Sequence, residues 1–407
     1  VVEGKVVPSP DKKNLLPRLG LAYRMHDNFV IRGGYGIFTY RIDYFDRVSG
    51  GGPFQIAETY FNSIAGGQPL FSFPNPFPAS LATAAIPSQS VRGYPLETRD
   101  GAIHQFNVSL ERQFGSIGAR LSYVGSRSRG LNYNLATNKP QPSLIPFTAA
   151  RRPYPQFVGT TEVREDGKSK YDSLQFQVQR KAGAITFNGH WTWANNMHNW
   201  LNRENPYDVT RHWARDNLTR RHRAVGETMI DLPWGQGRRY LNNPRPVLNA
   251  IVGGWNLQTI SVFSTGLYFS PAFSGFDPAN TNTTGGLPDR IADGNRPPDQ
   301  RSVDRAFDPS AFRLPERGRF GNSGVNVIEG QGVNLHHLTL SKEFQLTERF
   351  RLHFTGAISN LFNHPHFLGM RTNISTAGTG QLTSLGGRLA PERSSHRHAN
   401  LQLRLEF

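Results

Sequence analysis

The chain contains no cysteine, which removes disulfide frameworks, thiolate metal sites and cysteine nucleophiles together. It also has no run of 18 apolar residues, so a transmembrane helix is excluded. The hydrophobic share of 37% and the mean hydropathy of −0.50 are low for a helical membrane protein. A β-barrel escapes that exclusion, because its lipid-facing residues alternate with polar ones and average out in any window. Lysine is scarce: 8 of the 46 basic residues are Lys and 38 are Arg. These Arg residues form no compact basic tract. The formal net charge of +16 therefore reads as a solvated surface tolerant of polyanions such as lipid headgroups, with no nucleic acid among the expected partners.

Enzyme signatures are missing or broken. There is no HExxH and no GxSxG. Gly167, Lys168 and Ser169 resemble the end of a phosphate-binding loop, but Glu162 stands where its first glycine is required. That stretch reads as a solvated charged loop. Asp277, Asn280, Asn282, Asp289 and Asp293 could offer oxygen ligands, yet they lack the fixed spacing of a calcium loop and read as turn residues. No catalytic residue, metal site or cofactor is assigned. The chain opens on Val1 without an initiating Met or an apolar leader, so any targeting signal is expected outside this sequence.

What is present is alternation. In the last dozen residues Ala399, Leu401, Leu403, Leu405 and Phe407 fall on one face of an extended chain, and His398, Asn400, Gln402, Arg404 and Glu406 on the other. A strand ending on Phe, apolar on one side and polar on the other, suits the closing strand of an outer-membrane barrel. The same period predicts strands over 18–25, 29–38, 104–112, 119–126, 171–180, 185–193, 222–231, 254–264, 334–344 and 350–359. The connections alternate between short and long throughout. Long, Gly- and Pro-bearing segments occupy 39–101, 127–170, 194–221, 265–332 and 363–395, more than a compact soluble sandwich carries. Short turns on one side and long loops on the other are the habit of outer-membrane barrels. A periplasmic C-terminus puts every long loop outside. An odd count of about eleven strands does not close an up-and-down barrel, so the chain reads as the second part of something larger.

The densest aromatic and basic cluster holds Trp191, Trp193 and Trp200 with His190, His198, Arg203, Arg211, His212 and Trp213. Trp191 and Trp193 read as part of an interfacial aromatic girdle. Trp200, Arg203, Arg211, His212 and Trp213 are candidate extracellular-loop contacts to a ligand.

Several stretches resemble the barrel of TonB-dependent outer-membrane receptors, specifically the Oar-like group. They are Pro17 to Phe38, His190 to Asn199, Arg221 to Arg239, Gly253 to Ser270, Phe320 to Phe344, Ile358 to Phe367 and the terminal Phe407. The resemblance implies an all-β antiparallel barrel of 22 strands, of which about eleven lie in residues 1–407. It implies a plug domain, a TonB box and a signal peptide elsewhere. It also implies that Leu401, Leu403, Leu405 and Phe407 form the signature read by the barrel-assembly machinery. The expected role is movement of a bulky solute across the outer membrane of a Gram-negative bacterium. Expected partners are outer-membrane lipid and lipopolysaccharide, the assembly machinery, the TonB complex and an unknown solute or polysaccharide. A surface adhesin with the barrel as anchor, and a soluble secreted β-protein, are the other classes. Substituting Asp for Leu403, in the middle of the last strand, is expected to cost about 2 kcal/mol of insertion free energy; wild-type levels of the variant in outer-membrane fractions would count heavily against the barrel.

Overall fold

In a computed structural model, which describes residues 14–40, 64–65, 68–69, 90–95, 99–200, 204–209, 213–385 and 396–407, one large sheet carries the chain. Its eleven principal strands are β1 (Arg18–His26), β2 (Phe29–Tyr40), β3 (Gly101–Phe114), β4 (Ile117–Ala136), β5 (Gly159–Ala182), β6 (Ile185–His198), β7 (His222–Asp231), β8 (Trp255–Ser264), β9 (Val333–Gln345), β10 (Arg351–Ser359) and β11 (His398–Glu406). Each pairs antiparallel with its neighbour in sequence, from β1 to β11. Two short pieces add to this path: Ala214–Arg215 pairs with β6, and Ser90–Gly93 lies parallel to the start of β5.

The register shows why these residues make this sheet. Ile185, Ile230, Leu257, Leu340, Gly356 and Leu401 form one row of direct partners across β6 to β11. One position along each strand, Thr186, Met229, Gln258, Thr339, Ala357 and Asn400 form the next row, facing the other way. A slip of one residue in any pair would exchange the faces. The apolar face is open: Leu401, Leu403 and Leu405 are 80%, 68% and 52% exposed. Bulky outward rings also cover glycines. The Phe106 ring lies across Gly125 and the Phe187 ring across Gly189, where a Cβ atom would collide. The ring thus fills the space that the missing side chain leaves on the wall.

Short connections of 27–28, 115–116, 183–184 and 346–350 alternate with long ones. The bounds of β7 coincide with the periodic segment of the sequence, and those of β8 differ from it by one residue at the start. β4 and β5 do not. They run for 20 and 24 residues, so Gly167, Lys168 and Ser169 lie in a strand and not in a loop. The 127–170 connection shortens to 137–158. In β5 residues 164–170 are polar on both faces, and in β4 the alternation of Leu131, Tyr133 and Leu135 with Asn132 and Asn134 resumes only past the irregularities beside Gly130, while backbone pairing continues.

The β7–β8 connection also departs from a plain turn. It contains α1 (Pro246–Val252), with proline in the first turn. Lys342 projects from the apolar face of β9 and donates to the carbonyls of Ala250 and Ile251, at 2.5 and 3.3 Å, and Trp255 Nε1 donates to Ile251 O. A cation on the apolar wall is thereby satisfied by the carbonyl end of the helix. Gly254, at φ +71°, reverses the chain into β8.

At the exit of β10, Asn360 is buried at φ +52°. Its amide donates to His364 O and accepts from His364 N. Leu361 N donates to His336 O, tying the turn to β9. Replacing Asn360 with Ala removes both bonds at a left-handed position and is expected to destabilise this turn by about 2 kcal/mol. Faster protease cleavage within 360–385, with unchanged β-sheet circular dichroism, is the expected result.

Candidate functional site: the inner wall and its loop cap

The face opposite the apolar one is lined by polar side chains that pair across strands. Glu111 on β3 binds Arg32 of β2 at 3.3 Å and Arg120 of β4 at 3.0 Å. Ser109 and Ser122 share a hydrogen bond of 2.8 Å, and Gln177 donates to Asn188 at 3.4 Å. On β6 and β7, His190 Nε2 and an Arg223 guanidinium nitrogen are 3.2 Å apart. Two cavities open on this wall. One of about 190 Å³ lies near the short-turn end, among Asn28, Glu111, Arg120 and Gln179. The other, about 300 Å³, is lined by Arg120, Ser122, Gln175, Gln177, His190 and Thr192. Arg120 borders both. The alternation does not hold everywhere: Val225, Val262, Val333 and Leu335 form a buried apolar cluster on the inner face at the long-loop end of β7 to β9.

Over that end lies a built layer of loops. Its apolar centre joins the β8–β9 and β10–β11 connections: Ala306, Phe307, Ala311, Phe312, Ile328 and Met370 are buried together, with Phe269, Ile374 and Leu382 packed against them. Asp289, 2% exposed, holds the Arg319 guanidinium in a two-point pair of 2.7 and 2.5 Å. Two-point geometry fixes orientation as well as charge. Arg151, from the β4–β5 loop, donates to the carbonyls of Gln141, Ile145, Pro146 and Asn280 and to Ser143 Oγ. One guanidinium thus closes its own loop and clips it to the β8–β9 loop.

A third link runs through the β6–β7 loop. Lys139 Nζ donates to Glu204 O, Tyr207 Oη to Lys139 O, and Leu287 N to the Glu204 carboxylate at 3.1 Å. Burial pushes the Glu204 carboxyl above the usual range, against the pull of the Leu287 N–H and the Lys139 charge. Burial likewise draws Lys139 below its ordinary value.

The candidate ligand contacts of this loop divide. Trp200 stacks on the buried His198 ring, with centroids 4.0 Å apart, and His198 Nε2 lies 3.5 Å from Asp216. Trp213 is exposed and precedes the Ala214–Arg215 segment. The pair Ala214↔His198 brings both tryptophans to the same end of β6. Arg203, Arg211 and His212 lie outside the described residues. His198, grouped by sequence with the loop aromatics, belongs to β6. Trp191 and Trp193 project from the apolar face, in rows with Phe176 and Leu174. Leu401, Leu403, Leu405 and Phe407 are all exposed on that face or at its end.

The acidic loop is spent on its own backbone. The Asp277 carboxylate accepts from the amides of Thr281, Asn282 and Thr283, Asp289 is taken by Arg319, and Asp293 accepts from Arg290 and Asn295. Asn280 and Asn282 occupy left-handed turn positions. Among the described residues no three His, Asp or Glu side chains converge on one point.

The apolar outer face, the polar inner wall and the loop cap coincide with a sequence match. Residues 2–395 fit the family model of the outer membrane beta barrel domain. The chain belongs to that family. Among solved structures it is similar to the outer membrane transporter YddB from Escherichia coli, at 11% identity and a TM-score of 0.50, covering 97% of this chain and 40% of that one. The FrpB iron transporter from Neisseria meningitidis aligns at 8% identity and a TM-score of 0.46, over 97% of this chain and 39% of that one. The siderophore receptor PiuA from Acinetobacter baumannii does so at 8% and 0.44, over 96% and 35%. This outer-membrane barrel chain spans about two fifths of the length of the first two. A search of curated proteins gives no match.

Arg151, Glu204, Asp289 and Arg319 escape a reading by local pattern, since each is partnered across a long stretch of sequence. Glu204 carries a pH signature. A carboxyl whose folded pKa is raised costs stability when ionised, so the cap is expected to tighten as pH falls from neutral toward the ordinary value of 4.5. Asp293 and Asp308, held low by hydrogen bonds from Asn295 and Ser310, act only below 3.8. Glu204→Gln keeps an acceptor for Leu287 N and is expected to abolish the rise in Leu287 amide protection between pH 7 and about 5; an unchanged profile would remove Glu204 as its source.

Proposed function

We propose that this chain is the C-terminal part of the barrel of a TonB-dependent outer-membrane receptor, of the Oar-like kind, that moves a solute across the outer membrane. The observation that carries the reading is the pairing of a polar, cavity-bearing inner wall with a tied loop layer over one end of it. An anchor needs only the outer face. A hydrated inner wall beneath an ordered cap suits capture at the surface followed by passage inside. The outer edges of β1 and β11 carry no partner strand among the described residues, and in hydrocarbon such edges require pairing. Further strands of the same barrel would supply it, which fits a chain about two fifths as long as the structures it resembles.

In this reading the long loops face the exterior and the C-terminus faces the periplasm. Leu401, Leu403, Leu405 and Phe407 are the segment presented to the assembly machinery, and the TonB complex acts through a part of the protein beyond these residues. Trp200 and Trp213 sit where an incoming solute meets the mouth.

The lack of cysteine makes orientation testable. Leu144 in the β4–β5 loop and Leu346 in the β9–β10 turn are both exposed. A membrane-impermeant maleimide is expected to label Leu144→Cys on intact cells and Leu346→Cys only after the outer membrane is opened; the reverse pattern would overturn the orientation. Capture of the full-length protein by the periplasmic domain of TonB separates transport from anchoring. Correct labelling without capture would leave a barrel and remove the transporter.

A further inference from the structure

The outer face of β3 to β5 changes character abruptly on approaching the loop side. Tyr123 pairs with Leu174, and in the next row Gly125 stands between Phe106 and Asp172. Beyond these the rows turn cationic. Arg127 faces Lys170 directly, with His104 on the other flank, and Arg129 faces Lys168. Like charges placed opposite one another destabilise a sheet, and here two such pairs are stacked.

Asp172 relieves only the lower pair. It accepts from Tyr123 Oη and Arg127 Nη2, each at 2.6 Å, and lies 3.7 Å from Lys170 Nζ. The Arg127 guanidinium also rests 5.4 Å from the Phe106 ring centroid. Among the described residues the side chains of Arg129 and Lys168 have no hydrogen-bond or ion-pair partner. Both are exposed.

The height of this cluster is informative. From Ile117, at the short turn, to Arg127 is ten residues of β4, and Arg180 to Lys170 is ten of β5. At about 3.3 Å per residue and a tilt of about 40°, that distance is about 25 Å along the membrane normal. An outer-membrane barrel's apolar band has about this height. Four cations therefore stand at the upper edge of the lipid-facing wall, directly above Phe106, Tyr123 and Leu174.

We propose that Arg127, Arg129, Lys168 and Lys170 form a docking site for the phosphorylated headgroup of an outer-leaflet lipopolysaccharide, whose acyl chains lie against the apolar wall below. The inference rests on the orientation given above, with the long loops outside. Phosphate oxygens would sit between the opposed cations and relieve their repulsion. The continuity of the cluster with an apolar surface is what selects a lipid over a free anion. The strand length beyond residue 126, where alternation is lost, then carries the charged rows up from the membrane edge.

The test uses the full-length protein, extracted in non-ionic detergent, stripped of lipid and titrated with deep-rough lipopolysaccharide, with bound lipid read by native mass spectrometry. R129Q/K168Q is expected to bind about tenfold more weakly than the wild type. R129K/K168R is expected to bind as the wild type does, and a preserved heat-dependent shift on gels shows each variant folded. Equal binding by R129Q/K168Q would overturn the site. Phosphatidylglycerol bound as tightly as lipopolysaccharide, or full displacement by inorganic phosphate, would overturn the assignment of the lipid. Periplasm-only labelling of Leu144→Cys would instead overturn the orientation and leave the cation cluster without its leaflet.

Discussion

Hydrocarbon offers no hydrogen bonds, so a backbone that crosses it must pair every N–H and C=O with another strand. From that requirement the arrangement of this chain follows. Strands β2 to β10 are paired on both edges, always by their sequence neighbours. With pairing forced, the only freedom left to each strand is which side chains face out. The period of two then divides the wall into an apolar outer face and a polar inner one. Tyr23, Ile31, Leu110, Leu121, Phe176 and Trp191 mark a single outward row from β1 to β6.

The loop layer obeys a different economy. Outside the membrane, backbone groups can be left to water, and nothing compels a long loop to adopt one structure. Here side chains impose it. Arg151 satisfies carbonyls from two loops, Asn360 closes its own turn, and Asp289 orients Arg319. An exposed ion pair stabilises little, but Asp289 is buried, and a buried carboxylate must keep its partner. The cap is thus specified by polar contacts around a small apolar centre, while the wall is specified by backbone pairing.

This division explains how much could be read from the residues in order. Where one face meets lipid, alternation reports the strand: His222 to Asp231 is legible to the residue, and Trp255 to Ser264 to within one. The eleven-strand count and the alternation of short with long connections come from the same signal. Where the strands leave the apolar band, β5 is polar on both faces over 164–170 and β4 is interrupted beside Gly130, so the alternation is broken although the ladder continues, and β4 and β5 look shorter than they are. α1 is only seven residues long and owes its place to Lys342, some ninety positions away. The cap partners are separated similarly: Lys139 from Glu204, Arg151 from Asn280. No local pattern encodes such pairs. The aromatic cluster 190–213 was legible as a group, but not that His198 belongs to the wall and holds Trp200 by stacking.

The informative positions are those where the wall breaks its own rule. Lys342 is a cation on the outer face, and a helix end covers it. Val225, Val262 and Leu335 are apolar on the inner face, and they are buried. Full burial of Leu335 on an otherwise open wall requires matter on its inner side, and at that end of β9 the available matter is the loop layer. Arg129 and Lys168 break the rule as well, at the edge of the apolar band, and among the described residues nothing covers them. Lys342 has its helix end and Leu335 its loop layer, whereas these two charges stand open among the described residues, and that openness above an apolar wall is what the proposed lipid headgroup would answer.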